Sequence, residues 1–187
     1  MPESRRLERL SGKLMSLVGL YENDSIHLEK TDVSALLSRV QELERYPLAQ
    51  KHITLTVSCE MGERLLDADL FESLLINLID NAAKASASGS EIRLSAAGDA
   101  ITVRDFGCGI PAEEIARVTE AFYMVDKARS RQNGGSGLGL ALCERIAQVH
   151  GARLEIASRA GEGTAVSVVF ADCLQPAADF LRRTEVK

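Results

Sequence analysis

The sequence predicts an α+β fold in which a layer of helices covers one sheet, together with an additional N-terminal helix. Segments that alternate apolar and polar residues indicate strands, and segments with a period near 3.6 indicate helices. The two kinds are mixed without strict strand–helix–strand alternation, which favours α+β. The composition agrees, because 187 residues with 45% hydrophobic and 26% charged are typical of a globular domain.

Charge and cysteine spacing exclude several classes of function. The formal net charge is −5, so no overall basic field exists to hold a nucleic-acid backbone, and we expect no nucleic-acid partner. The four cysteines lie far apart without a C-x-x-C pair, which argues against a thiolate metal site. The apolar runs are short, so we expect no membrane span and no membrane contact.

The elements are predicted in a simple order. Strands are expected at 26–30, 53–58, 65–66, 91–97, 100–105, 154–156 and 165–170. A first helix is expected to begin at a cap, Thr31 or Asp32, and to run towards Tyr46, and Pro47 indicates an end or a kink nearby. Further helices are expected at 69–85, 112–118 and 138–149, and the polar, basic stretch 124–136 predicts a mobile loop.

The first 25 residues form a part of their own. Apolar residues recur there with the 3-4-3-4 spacing of a coiled-coil seam, at Leu7, Leu10, Leu14, Leu17 and Tyr21. This helix either packs on its own domain or belongs to a dimerising helix pair, and the pattern leaves both interpretations open. We therefore divide the chain into a helix and linker (1–25), a main domain (26–171) and a tail (172–187).

The helix expected at 69–85 has two distinct faces. Its apolar stripe predicts core positions at Phe71, Leu74, Leu75, Leu78, Ile79 and Ala82. Asn77, Asn81 and Lys84 are spaced i, i+4 and i+7 and share another face. Asn is a poor helix former, so two on one face before a cation indicate a use. An Asn oxygen suits Mg²⁺ and a Lys suits phosphate; the alternative is a solvated polar face.

Two glycine-containing segments add to this pattern. Asp105 ends a predicted strand before a turn with Gly107 and Gly109, where its carboxylate can accept a hydrogen bond from a purine amino group. Residues 134–140 read Gly-Gly-Ser-Gly-Leu-Gly-Leu and open a helix, where free N–H groups bind phosphate. This spacing matches neither a Rossmann fingerprint nor a Walker P-loop. Taken alone, each segment is also explained by an ordinary turn.

In this order and spacing, the segments resemble the ATP-binding domain of sensor histidine kinases, in the superfamily shared with DNA gyrase, heat-shock chaperones and mismatch-repair ATPases. Residues 75–84 are similar to the N box and 105–109 to the G1 box. Phe122-Tyr123 with Asp126 is similar to the F box, and 135–140 to the G2 box. The resemblance covers residues 26–171, and residues 3–22 resemble the end of the second dimerisation helix.

The resemblance implies a two-layer α/β sandwich, with about three helices on one face of a mixed sheet of about five strands, in which ATP and Mg²⁺ are bound. Asn77, Asn81 and Lys84 would form the catalytic set, with Asn81 on Mg²⁺ and Lys84 on a phosphate. Asp105 would bind the adenine amino group. The other implied nucleotide-binding residues are Gly107, Gly109, Ile110, Tyr123, Lys127, Arg129, Gly135, Ser136, Gly137, Leu138, Gly139 and Leu140.

The resemblance also implies partners and a location. The partners would be the dimerisation helices that carry the phosphoacceptor His and a response regulator, with homodimerisation possible through residues 3–22. The domain would lie in the cytoplasm, in a kinase anchored in the bacterial inner membrane. Residues 123–136 would be a lid over the nucleotide.

Three positions depart from the family pattern. Met124 stands where an Arg often follows the F-box Tyr, and Lys127, Arg129 or Arg131 could replace the phosphate contact. Ala85 stands where an aromatic often follows the N-box Lys, and Phe106 where Asn is usual. None of the three removes the expected Mg²⁺ or adenine anchors, so we expect ATP binding.

The residues that follow the three histidines indicate what kind of kinase to expect. His27, His52 and His150 are not followed by an acidic residue, so none matches the phosphoacceptor motif, and we expect each to be structural. The leading hypothesis is therefore phosphotransfer to a His supplied by another segment. A superfamily ATPase or serine kinase would place a Glu where Asn77 stands. A non-catalytic nucleotide-binding module is the third hypothesis, supported by Met124.

Overall fold

A five-stranded sheet forms one layer of the structure, a computed structural model that describes residues 26–125 and 137–171 together with Ser11, Gly12, Met15 and Gly19. Its order is β2 (Thr54–Cys59), β4 (Glu91–Ala97), β5 (Ala100–Asp105), β7 (Gly163–Phe170) and β6 (Ala152–Arg159). β2 runs parallel to β4, and the other neighbouring pairs are antiparallel. A separate antiparallel pair joins β1 (Glu29–Asp32) to β3 (Glu63–Leu66). The mixed sheet confirms the predicted fold class.

Three helices form the second layer: α1 (Val33–Ala49), α2 (Ala68–Ala85) and α4 (Gly139–Val149). A short helix, α3 (Ala112–Ile115), lies outside this layer. The strands bury alternate residues under the helices, as Ile92 and Leu94 do in β4, while Arg93 between them is exposed on the opposite face. The core therefore lies between one face of the sheet and the three helices.

Helix α2 occupies the middle of the helical layer. It contacts α1, α4 and three strands of the sheet. Asp67 caps its first turn, since the Asp67 side chain accepts a hydrogen bond from the Leu70 N–H at 3.1 Å. All six predicted core positions of its apolar stripe are buried, which confirms that part of the prediction: Phe71, Leu74, Leu75, Leu78, Ile79 and Ala82.

Several predicted boundaries differ from the structure, and the strands expected at 65–66, 154–156 and 165–170 extend over Glu63–Leu66, Ala152–Arg159 and Gly163–Phe170. The first strand begins at Glu29 and runs to Asp32, which is the N-cap of α1. Helix α1 ends at Ala49, near Pro47 as expected, and it includes Pro47 because this residue lies on the exposed side, where water can hydrate the carbonyl that loses its partner. Helix α3 stops at Ile115, short of Val118, because bonds of the i→i+3 type replace the helical pattern from there on.

Several predictions fall outside the described residues. In the N-terminal helix only Ser11, Gly12, Met15 and Gly19 are described, and all four are helical and exposed. The tail and most of the predicted loop, residues 126–136, also lie outside. Among the residues that the structure describes, no helix is both long and apolar enough to cross a membrane.

Candidate functional site

The C-terminal half of α2 brings two of the predicted segments together. Asn77 is only 6% exposed, and its Nδ2 donates to the Ser73 carbonyl at 2.8 Å. Asn81 is half-buried one turn later. Gly139, the first residue of α4, lies against both: a Cβ there would be 3.4 Å from Asn81 Nδ2 and 3.7 Å from Asn77 Oδ1. The interpretation as a solvated polar face is therefore wrong for Asn77, and the N box adjoins the G2 box.

Lys84 lies one turn beyond Asn81 and is held by an acidic neighbour. Its Nζ donates to Asp80 Oδ2 at 2.6 Å, and the Lys84 side chain is 24% exposed. An ammonium group has three donors, so this bond leaves capacity for phosphate oxygens. Glu44 of α1 is largely buried nearby; burial and then the negative charge of Asp80 raise the pKa of Glu44. The site thus has a cation set among carboxylates.

The N-terminus of α4 faces the asparagine pair. Its first i→i−4 bond runs from the Leu142 N–H to the Leu138 carbonyl at 2.9 Å, so the N–H groups of residues 139–141 have no partner within the helix and can bind an anionic ligand. Leu138 is fully buried and Leu140 packs against the core. These two side chains anchor the helix start, while its backbone faces the site.

Asp105 lies at the end of β5 and is 4% exposed. Its Oδ1 accepts the Gly107 N–H at 2.8 Å and the Thr164 N–H at 3.3 Å. Burial raises the pKa of Asp105, and these two bonds partly offset the rise. Both bonds use the same oxygen, which fixes the direction of the carboxylate.

The loop after Asp105 packs backbone against backbone. A Cβ on Gly107 would overlap the carbonyl of Ala85, the last residue of α2, and a Cβ on Gly109 (φ +65°) would overlap the carbonyl of Arg159. The Cys108 N–H donates to that same Ala85 carbonyl at 3.2 Å. Only glycine fits at both positions, so the G1 loop is fixed on the end of α2 beside the N box.

Three residues that support this loop were not predicted from the sequence: Ser158, Gly163 and Thr164. Ser158 Oγ accepts the Ile110 N–H at 2.8 Å and donates to the Gly163 carbonyl at 2.9 Å. The Ser158 and Thr164 hydroxyls lie 2.8 Å apart. A Cβ on Gly163 (φ +86°) would overlap the Asp105 carbonyl. The available signal was a pair of hydroxyl residues at inward-facing positions of two strands whose other inward residues are mostly apolar.

The F-box segment is tied to α3 and to the start of α4. The Phe122 N–H (φ +67°) donates to the Gly137 carbonyl at 2.8 Å. The Tyr123 hydroxyl donates to the Glu114 carboxylate, which raises the pKa of Tyr123, and the Arg117 guanidinium lies 4.1 Å from the Tyr123 ring centroid. The remaining predicted ligands are not among the described residues: Lys127, Arg129, Gly135 and Ser136.

Comparison with known proteins agrees with this geometry. Residues 66–172, more than half of the chain, match the model of the family described as histidine kinase-, DNA gyrase B- and HSP90-like ATPases. The chain therefore belongs to this family. The sensor protein SrrB of Staphylococcus aureus (strain MRSA252) is 32% identical over 170 residues, which cover 88% of this chain and 29% of SrrB. The chain thus spans less than a third of the length of that relative.

Solved structures point the same way. Full-length ShkA in complex with AMPPNP is 25% identical with a TM-score of 0.76, covering 94% of this chain and 39% of that one. The mycobacterial sensor histidine kinase MprB is 28% identical with a TM-score of 0.63, covering 77% and 97%. Within the family, the chain is an ATP-binding catalytic domain of the two-component sensor-kinase type.

Proposed function

We propose that this domain transfers the γ-phosphate of Mg-ATP to a histidine on a dimerisation domain that this sequence does not contain. The observation that carries the proposal is the contact of Gly139 with Asn77 and Asn81, which joins a polar helix face to a helix N-terminus. Buried Asp105 stands beyond the end of the same helix. The described residues thus offer an adenine contact at one end and phosphate contacts at the other.

The individual roles follow from the chemistry of each group. Asp105 accepts a hydrogen bond from the adenine amino group, and the rigid G1 loop supplies the walls around it. Lys84 and the first turn of α4 bind phosphate oxygens. Asn81 offers an amide oxygen beside them, and Mg²⁺ is usually held by one or two protein oxygens together with substrate phosphates, so the donor set fits this ion. When bound, Mg²⁺ would neutralise phosphate charge.

Such a domain catalyses by placing the phosphates and not by supplying a nucleophile. Phosphoryl transfer needs the attacking and leaving atoms in line and needs negative charge to be stabilised. Lys84 stabilises that charge, and Asn81 and the α4 backbone orient the phosphates. The acceptor histidine comes from a partner helix pair, and a response regulator is the proposed onward acceptor.

Asn77 argues against an ATPase or serine kinase. A general base one helical turn before Asn81 would have to accept a proton. The amide of Asn77 does not accept a proton as a general base would. Its Nδ2–H group already donates to the Ser73 carbonyl within α2. Met124, which leaves the F box without its usual Arg, favours a non-catalytic nucleotide-binding module as the second candidate.

Calorimetric titration of the chain with ATP, with and without Mg²⁺, tests the binding part. We expect binding that tightens with Mg²⁺. Asn81→Ala should remove this tightening, whereas Asp105→Asn should weaken ATP and ADP alike by about 10- to 100-fold, because a hydrogen bond to a charged group is lost. If both variants bind as the parent does, the assigned site is wrong.

Phosphotransfer to a separately supplied dimerisation helix pair from a homologous kinase, with radiolabelled ATP, tests the catalytic part. Label on the histidine of the helix pair is the expected result. ATP binding without any label favours the non-catalytic module. Release of inorganic phosphate without transfer to the helix pair would favour the ATPase reading instead.

A further inference from the structure

The outer face of the sheet carries an aromatic ring that contacts two arginines. Phe106 directly follows β5 and is 42% exposed. The guanidinium carbons of Arg93 and Arg104 lie 4.9 and 5.1 Å from the Phe106 ring centroid. Both distances are within the range of cation–π attraction. We call these three residues the outer clamp.

The outer clamp is connected across three strands. Arg93 of β4 and Arg104 of β5 are direct cross-strand partners, an arrangement that is unfavourable for like charges unless something compensates. The cation–π contact of both arginines with the Phe106 ring is one compensation. Glu91 is another: it pairs with Arg93 at 2.8 Å and accepts the Thr56 hydroxyl of β2 at 2.7 Å. Of the two arginines that contact the ring, Arg93 is therefore itself fixed by an ion pair.

Asp105 and Phe106 lie on opposite sides of the backbone. The Asp105 side chain is buried on the helix side, while the Phe106 ring lies with exposed Arg93 and Arg104. Phe106 therefore does not touch a nucleotide that binds Asp105. The two residues share a peptide unit, and Gly107 on the far side of Phe106 donates its N–H to Asp105 Oδ1. Movement of Phe106 would move both the carboxylate and its donor.

We propose that Phe106 is a positioning residue for adenine recognition, because the outer clamp fixes the backbone that directs the Asp105 carboxylate. This inference rests on the proposed function, in which Asp105 accepts the adenine amino group. A preorganised carboxylate does not have to be ordered when the base binds. Loss of the ring removes the support on the outer face of residues 105–107, while the packing of Gly107 on Ala85 remains, so a modest penalty falls on the adenine contact and not on the phosphates.

The test compares ATP with inosine triphosphate, whose base has a carbonyl in place of the amino group. Calorimetry on the full chain should show that Phe106→Leu lowers ATP affinity about threefold to tenfold while inosine triphosphate affinity is unchanged. Phe106→Tyr keeps the ring and should restore the ATP preference. Arg153→Ala is the matched control, since Arg153 is on the exposed face of β6 and pairs with Glu155 at 2.7 Å.

Each other outcome contradicts the inference. If Phe106→Leu weakens both nucleotides equally and lowers the melting temperature, the ring serves stability alone. If it changes neither affinity, the outer clamp does not position Asp105. A parent that binds ATP and inosine triphosphate equally well overturns the Asp105 assignment and this inference with it. A parental preference that Phe106→Leu leaves intact overturns this inference alone.

Discussion

The two ends of helix α2 use polar residues for different purposes. At the N-terminal end, Asp67 accepts the Leu70 N–H at 3.1 Å and the His27 N–H at 3.0 Å. His150 accepts the Asp67 N–H through Nε2 at 3.0 Å, and its Nδ1 lies 2.7 Å from the Ile146 carbonyl. All of these hydrogen bonds join groups of the protein itself. As expected for this histidine, His150 has a structural role at the end of α4.

At the C-terminal end the polar groups keep capacity for a ligand. Lys84 uses one donor on Asp80, Asn81 lies beside the start of α4, and the G1 loop packs on the Ala85 carbonyl. One helix therefore carries a structural cluster and a candidate ligand site about four turns apart. Substitution of polar residues whose hydrogen-bond partners are all in the protein should lower stability. Substitution of those that face the ligand should weaken nucleotide binding.

The largest expected effect comes from replacing one glycine by alanine at each end of α2. Gly107→Ala places a Cβ on the Ala85 carbonyl, so the G1 loop must shift, and we expect ATP affinity to fall about 100-fold. Gly151 follows His150 at the other end; it has φ +67° and open space around its Cβ position. Gly151→Ala should cost about 1 kcal/mol of unfolding free energy and leave ATP affinity unchanged.

Calorimetric titration and urea unfolding of both glycine variants separate the two effects. Equal losses of ATP affinity in the two variants would remove the distinction between the ends of α2. A Gly107→Ala protein that binds ATP as the parent does would show that the G1 loop tolerates displacement from Ala85.

A smaller effect is expected from the helix cap. Asp67→Ala removes the acceptor of the Leu70 and His27 N–H groups and should lower the unfolding free energy by about 1 to 2 kcal/mol. Asp69→Ala is the control, because Asp69 is in the same first turn but its side chain is 89% exposed, and its contact with Arg39 is 4.0 Å long. Urea unfolding should separate the two variants, and both should bind ATP like the parent. Weaker ATP binding by Asp67→Ala alone would couple the two ends.

Local periodicity predicted much of α2 and its surroundings. The apolar stripe of α2 and the bounds of β4 and β5 depend on neighbours close in sequence, and both were predicted correctly. Burial of Asn77 was not predictable, because it depends on α4, more than 60 positions later. The Thr164 bond to Asp105 spans 59 positions, and the outer clamp depends on strand register. Sequence patterns identify which residues are unusual, while tertiary pairing decides what they touch.

The smallest effect is a pH dependence at the N-terminal end of α2. Burial lowers the pKa of His150 below its usual value, although the Ile146 carbonyl and Asp67 partly oppose this. The native state then binds a proton less readily than the unfolded chain, so this contribution to stability is full above about pH 6.5 and falls as the pH decreases through that value towards the lowered pKa. Protonation of Nε2 would also turn it into a donor that faces the Asp67 N–H, so this hydrogen bond would be lost.

Urea unfolding at pH 5.5 and 7.5 tests this dependence. The unfolding free energy should fall less between pH 7.5 and pH 5.5 in His150→Gln than in the parent. His52→Asn, at an exposed position with φ +54° that Asn tolerates, should behave as the parent. A change of ATP affinity in His150→Gln at pH 7.5 would contradict the separation of the two ends, because no bond of His150 reaches the C-terminal half of α2 in the part of the chain that is described.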